Sequence, residues 1–375
     1  MKRKIISLLL ALIMAVSLLP MSVLAADPAG SGGKDDAPTG FSFSIVSGKQ
    51  TVSLTTKKVG SKNTVYIPVS LMNKTAVLDF IIKSNDGKQF SAEYSEFDID
   101  AKEKENRTSK EAENGSVAIK GSYAEQYSFF RYISADKFKW TKTITLSCDG
   151  EAVEYDVVPF CDLTTLTVVE TTGAKNTRPM QLLEDGTYTT TVVAKSSVKI
   201  TAGGGIKNVD TTAIDGAGAS ATKTFSGDKS VSIKVSSKAE GVEAREYTLN
   251  VKCIEKDHFP TFIGGTKPSA AGIKLTVAQG AKDFYLDSSE YIDAESINEN
   301  TEYEWTLLTT KAVVSTKATC PVNTDNVAGA VLYTCKVTNI VDGLSYSVSY
   351  RYNIKISAET LSAPKAGSYT HLRAH

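Results

Sequence analysis

The sequence predicts an all-β chain built of antiparallel sandwiches, and three observations carry that prediction. From Phe41 onward apolar residues recur at alternate positions, the period of a half-buried strand, and helical periodicity is nearly absent. Gly, Asn and Asp break these runs at short intervals, as tight turns require. The composition, 41% hydrophobic and 22% charged over 375 residues, is that of ordinary globular protein and fits about two to three domains. Its 42 basic residues balance 42 acidic ones, which removes the electrostatic case for nucleic acid.

Both ends lie outside the strand pattern. Lys2, Arg3 and Lys4 precede an apolar stretch over residues 5–19; Pro20 breaks it, and Val23-Leu24-Ala25 supplies small residues at the spacing of a signal-peptidase site. The stretch is shorter than the ~20 residues of a spanning helix. Residues 1–25 therefore read as a cleaved export signal, and the mature chain as lacking a transmembrane segment. Residues 26–39, rich in Gly, Pro, Ala and Asp, read as a flexible linker. Residues 359–367 read as a second linker, and residues 368–375 (SYTHLRAH) look like the translation of a sequencing adapter, so the natural chain is expected to continue past Gly367. Loss of Lys2, Arg3, Lys4 and Arg373 with these ends gives a net charge of −4, which suits an exported protein.

The first predicted domain covers residues 40–161. Residues 64–70 and 77–83 read as strands, and Asn85-Asp86-Gly87 predicts a hairpin into residues 89–94. Phe138, Trp140, Ile144, Leu146 and Cys148 share one parity, and Asp149-Gly150 predicts a second hairpin that sets Cys148 opposite Glu151. Residues 98–113, dense in charge of both signs, are expected to form a short surface helix or a solvated loop.

The second predicted domain covers residues 162–254. Leu163 and Leu166 open it, Val198-Lys199-Ile200 follows, and Tyr247, Leu249, Val251 and Cys253 close it on one face. The Leu-rich opening, Tyr188-x-x-x-Val192, Val231-x-Ile233-x-Val235 and the closing EYTLNV at 246–251 together resemble the cadherin-like β-sandwich domain of bacterial surface proteins. Gly203-Gly204-Gly205 interrupts that pattern. The resemblance implies a structural or adhesive module with no catalytic residue.

The third predicted domain, residues 255–358, has immunoglobulin-like marks. Tyr303, Trp305 and Leu307 share a face, and the segment 333–339 (YTCKVTN) is similar to the Tyr-x-Cys strand of such sandwiches. Tyr346, Val348, Tyr350, Tyr352, Ile354 and Ile356 alternate with polar residues. The earlier strand around Phe284 and Leu286 lacks a Cys, so the inter-sheet disulfide is expected to be replaced by apolar packing.

A search for chemistry returns weak candidates. Apart from the two in the tail, the histidine is His258, a single possible base at a predicted domain junction, read as a solvated linker residue. Metalloprotease, nucleophile-elbow and phosphate-loop motifs do not occur, and Gly216-Ala217-Gly218-Ala219-Ser220-Ala221 lies among strands and reads as a surface loop. The five cysteines, Cys148, Cys161, Cys253, Cys320 and Cys335, show no Cys-x-x-Cys spacing for zinc; Cys148, Cys253 and Cys335 fall on apolar faces, and Cys320 could pair with Cys335. Acidic residues gather at Asp287, Glu290, Asp293, Glu295, Glu299, Glu302 and Glu304 without a calcium-loop spacing, so they read as a solvated face. No catalytic, cofactor or metal residue is therefore nominated. The expectation is three tandem immunoglobulin-like or cadherin-like sandwiches in a non-enzymatic, secreted or surface protein, structural or adhesive, with a surface protein or glycan as partner. The alternatives are the non-catalytic part of a secreted glycoside-hydrolase-like enzyme, or a glycan-binding module.

Overall fold

A computed structural model of the protein describes residues 40–48, 50–72, 78–100, 104–121, 125–134, 137–172, 176–205, 210–325 and 329–358. The predicted export signal, both linkers and the adapter-like tail lie outside the described residues. Strands make the fold, and no α-helix occurs among the described residues. The chain divides between Glu255 and Lys256 into two compact units.

The first unit holds two hydrophobic cores. Around the first, a four-stranded sheet runs in the order Gln50–Ser53, Phe41–Ser47, Asp79–Ser84, Ser116–Lys120. The opposing sheet runs Thr56–Val59, Lys62–Pro68, Glu151–Phe160, Thr143–Cys148, Ser91–Asp98, Glu105–Glu111. Alternation aims Phe43, Ile45 and Phe80 of one sheet at Ile67, Leu146 and Tyr155 of the other, all buried, with the Phe43 and Tyr155 rings 4.8 Å apart. Trp140 joins this core and its indole Nε1 donates to the Val157 carbonyl at 3.1 Å.

Two local expectations for this region change. The Asn85-Asp86-Gly87 turn does not close a hairpin. Asp79–Ser84 pairs with Phe41–Ser47 and Ser116–Lys120, whereas Ser91–Asp98 lies in the opposing sheet. Turn chemistry reverses the chain but does not choose the neighbour; here both strands bury a face in one core from opposite sides. The charged stretch 98–113 is not a helix, nor loop throughout, where it is described: Glu105–Glu111 is an edge strand, paired from Ser91↔Glu111 to Phe97↔Glu105. Its charges suit an edge that must not recruit another strand, and Arg107 pairs with Glu93 at 2.7 Å. The Asp149-Gly150 hairpin forms as expected, with φ of 54° and 83° and Cys148 opposite Glu151.

The second core lies between a three-stranded sheet, Leu163–Glu170, Ser197–Gly204, Ser220–Thr224, and a five-stranded sheet, Met180–Leu182, Tyr188–Val193, Arg245–Ile254, Lys229–Ser237, Asp210–Ile214. Val231, Ile233 and Val235 are fully buried, as their alternation predicts.

The segment before Arg245–Ile254 docks on the first core. Ala239 and Val242 pack into it, Phe160 and Glu243 form a parallel bridge, and the Arg245 guanidinium carbon stands 4.6 Å and 4.4 Å from the Tyr66 and Phe160 ring centroids. Glycine is required here. A Cβ on Gly241 (φ +79°) would come within 2.8 Å of the Trp140 ring, and one on Gly205 within 2.6 Å of Asp162 Oδ1. The Gly203-Gly204-Gly205 interruption thus brings backbone close to the neighbouring sandwich.

The second unit sets a five-stranded sheet, Ile273–Ala278, Leu344–Ser357, Gly329–Val341, Glu302–Leu307, Ala312–Ser315, over the pair Tyr285–Asp287 and Thr319–Pro321. Trp305 is fully buried against Tyr352 at 5.8 Å between centroids and donates to the Lys317 carbonyl at 2.9 Å. The sandwiches are not wholly antiparallel. Lys62–Pro68 with Glu151–Phe160, Tyr188–Val193 with Arg245–Ile254, and Ile273–Ala278 with Leu344–Ser357 are parallel pairs. Parallel neighbours need a crossover, and passage through the opposing sheet supplies it in each case.

Candidate functional site

A surface concavity in the second unit forms where Lys256, Asp257 and His258 run beside Asp293, Glu295 and Asn298, a pocket of about 320 Å³. Its floor is Asn339, 2% exposed. The Asn339 amide donates to the carbonyls of His258 at 2.8 Å and Ser296 at 2.7 Å, while its oxygen accepts from Thr301 Oγ1 at 2.7 Å. His258 is therefore not a solvated linker residue. Its backbone is held by Asn339, and its half-buried ring meets the Tyr346 ring edge-on at 5.1 Å. The wall presents carboxylates, an amide, an imidazole and an ammonium group, which can hydrogen-bond a polar ligand.

The acidic row does not converge. Asp287 and Asp293 accept the backbone N–H groups of Ser289 at 2.8 Å and Glu295 at 3.0 Å, so these carboxylates cap short 3-10 turns. Glu302 and Glu304 are exposed between the inward Tyr303 and Trp305. They line a separate groove with Lys336 and Thr338. Among the described residues no group of three or more His, Cys, Asp or Glu is placed to hold a metal ion. Gly216 lies in a turn between strands of different sheets, with Asp215 accepting from the Ser232 N–H at 2.8 Å and paired with Lys223 at 2.8 Å.

All five cysteines are free thiols. Cys335 and Cys320 are buried in one core, and burial pushes them up to about 12 and about 11. The pairing of Cys320 with Cys335 that the sequence allowed is not made, and Leu286 shares their apolar core. Burial likewise pushes the Cys161 thiol up to about 12. Cys148 and Cys253, expected on apolar faces, are only half-buried, since each sits near a strand end.

Sequence reasoning missed Asn339 and Asp162, two polar residues that the fold buries to 2% exposure. No spacing announces either one, because their burial depends on strands far away in sequence.

No protein-family model matches the chain, and no curated protein matches it. Solved structures do. A SusE-like surface located polysaccharide binding protein from the Bacteroides thetaiotaomicron heparin utilisation locus is 12% identical, over 90% of this chain and 58% of that one, with a TM-score of 0.27. Immunoglobulin domains 1–4 of Sidekick-1 are 9% identical over 86% of this chain and 75% of that one, with a TM-score of 0.20. Cadherin domains 3–6 of protocadherin gamma B2 are 7% identical over 82% and 80%, with a TM-score of 0.20. Likenesses this low carry no argument about ligand or activity. No helix among the described residues is long and apolar enough to cross a membrane.

Proposed function

We propose that the chain is a secreted or cell-surface β-sandwich protein with a structural or adhesive role, not an enzyme. The observation that supports this reading is the docked segment at 239–245, which joins two sandwich cores through a backbone bridge and a stacked guanidinium. Such a connection suits a chain that transmits load or sets a distance. The test is single-molecule extension of the full chain from its two ends. Both cores of the first unit are expected to give way in one event, and their separate, low-force extension would overturn the stalk reading.

A glycan-binding role is the second reading, favoured by the polar pocket at His258 and by the exposed rings of Tyr127 and Tyr285. A glycan array probed with the full chain tests it. Binding that His258→Ala abolishes supports this reading, and silence on the array counts against it.

A further inference from the structure

We propose that Asp162 is a proton-operated latch between the two sandwiches of the first unit: as the neutral acid it closes their junction, and its ionisation loosens it. Asp162 lies on the short connection between Glu151–Phe160 and Leu163–Glu170, where the chain passes from one core to the other. Its Oδ1 accepts the backbone N–H of Ser70, from the first sandwich, at 3.0 Å. Its Oδ2 is buried and meets no donor in hydrogen-bond geometry among the described residues. An ionised carboxylate is acceptor-only, so a buried oxygen without a donor is the costly form, whereas a proton there makes the group neutral.

Hydrogen bonds from Ser70 favour the ionised form, but burial outweighs them. Asp210, on Asp210–Ile214, is a second carboxylate close enough to disfavour ionisation, and burial is the larger cause raising the Asp162 acid. Tyr188 and Tyr247 face it from Tyr188–Val193 and Arg245–Ile254 as phenols whose own ionisation burial opposes. The Tyr247 hydroxyl is committed to its neighbours, donating to the Cys161 carbonyl at 2.9 Å and accepting from the Leu163 N–H at 3.2 Å. Cys161 beside it is a protonated thiol at neutral pH, raised by burial. Arg245, whose charge reaches Cys161 and Tyr247, stacks on Tyr66 and Phe160 with its Nε 3.8 Å from Glu243. Close packing holds the arrangement: a Cβ on Gly205 would meet both Asp162 Oδ1 and the Ser70 nitrogen, at 2.6 Å and 2.8 Å.

The direction follows from linkage. An acid raised on folding contributes stability that is complete below its unfolded value, 3.8, and is lost as pH rises through its folded value. The first unit is therefore tightest in mild acid and looser towards alkaline pH. Asp162→Asn keeps the acceptor for Ser70 and makes the second position a permanent donor. Melting of the full chain and of Asp162→Asn, in chelator, between about pH 4 and about pH 8 is the test. The two should coincide at the acid end, and the variant should melt about 3 °C or more above the natural chain at the alkaline end. The side-chain carboxyl carbon of Asp162, followed by NMR in the natural chain, should titrate above the ordinary aspartate range, and Asp210→Asn should lower its midpoint. Parallel melting curves, or an ordinary midpoint, would overturn the proposal. So would calcium raising the alkaline melting point of the natural chain but not of Asp162→Asn, since the counter-charge would then be a metal ion. If Asp162→Asn does not fold, the NMR midpoint decides alone.

Discussion

At the scale of single residues, the alternating pattern was a dependable guide wherever the side chain is apolar. Trp140, Trp305, Val231, Ile233, Val235, Tyr350 and Tyr352 were placed inward by parity, and each is buried. Trp305→Ala should cost about 3–5 kcal/mol, because it empties a fully buried site and strands the Lys317 carbonyl that accepts its indole N–H. Urea unfolding of the second unit measures this. The cysteines give a second expectation. In the reduced native chain at neutral pH, a thiol reagent should modify Cys148 and Cys253 and spare Cys161, Cys320 and Cys335, whose burial both blocks access and keeps them protonated. Raising pH to about 9 should speed the first pair without exposing the others. Peptide mapping reads the pattern, and early labelling of Cys335 would contradict the packing.

At the scale of elements, local turn chemistry was legible and strand partnership was not. Asp149-Gly150 joins adjacent strands, yet Asn85-Asp86-Gly87, with equally good turn residues, joins strands of opposing sheets. The difference lies in which neighbours remove Phe80 and Tyr94 from water, a question no window of ten residues can answer. The edge strand Glu105–Glu111 escaped for a related reason: its charges hide a period that its pairing with Ser91–Asp98 decides. Glycine positions at the docked segment lead to a sharp expectation. Gly241→Ala should destabilise the first unit by about 1–3 kcal/mol, since the methyl group meets the Trp140 ring at a backbone φ of +79°. Gly218→Ala, in open space without a positive φ, should change stability by less than about 0.5 kcal/mol. Chemical denaturation of both variants provides the comparison.

At the scale of the whole molecule, the docked segment 239–245 makes the two cores of the first unit answer to one another. Hydrogen exchange should show Gly241→Ala lowering protection of the Ile144 and Ile233 amides together, although they belong to different cores. Loss at Ile144 alone would mean that the cores open separately. The sequence by itself determined that the described chain is strands, which side of each major strand faces inward, and which residue pairs make tight turns. Those features follow from side-chain period and backbone sterics, which act over a few residues. Only the tertiary structure decided the sheet partners, the parallel pair in each sandwich, the floor that Asn339 makes under His258 and the burial of Asp162 between cores. Each of these brings together residues tens of positions apart, and their energies belong to surfaces that exist only once the chain has folded.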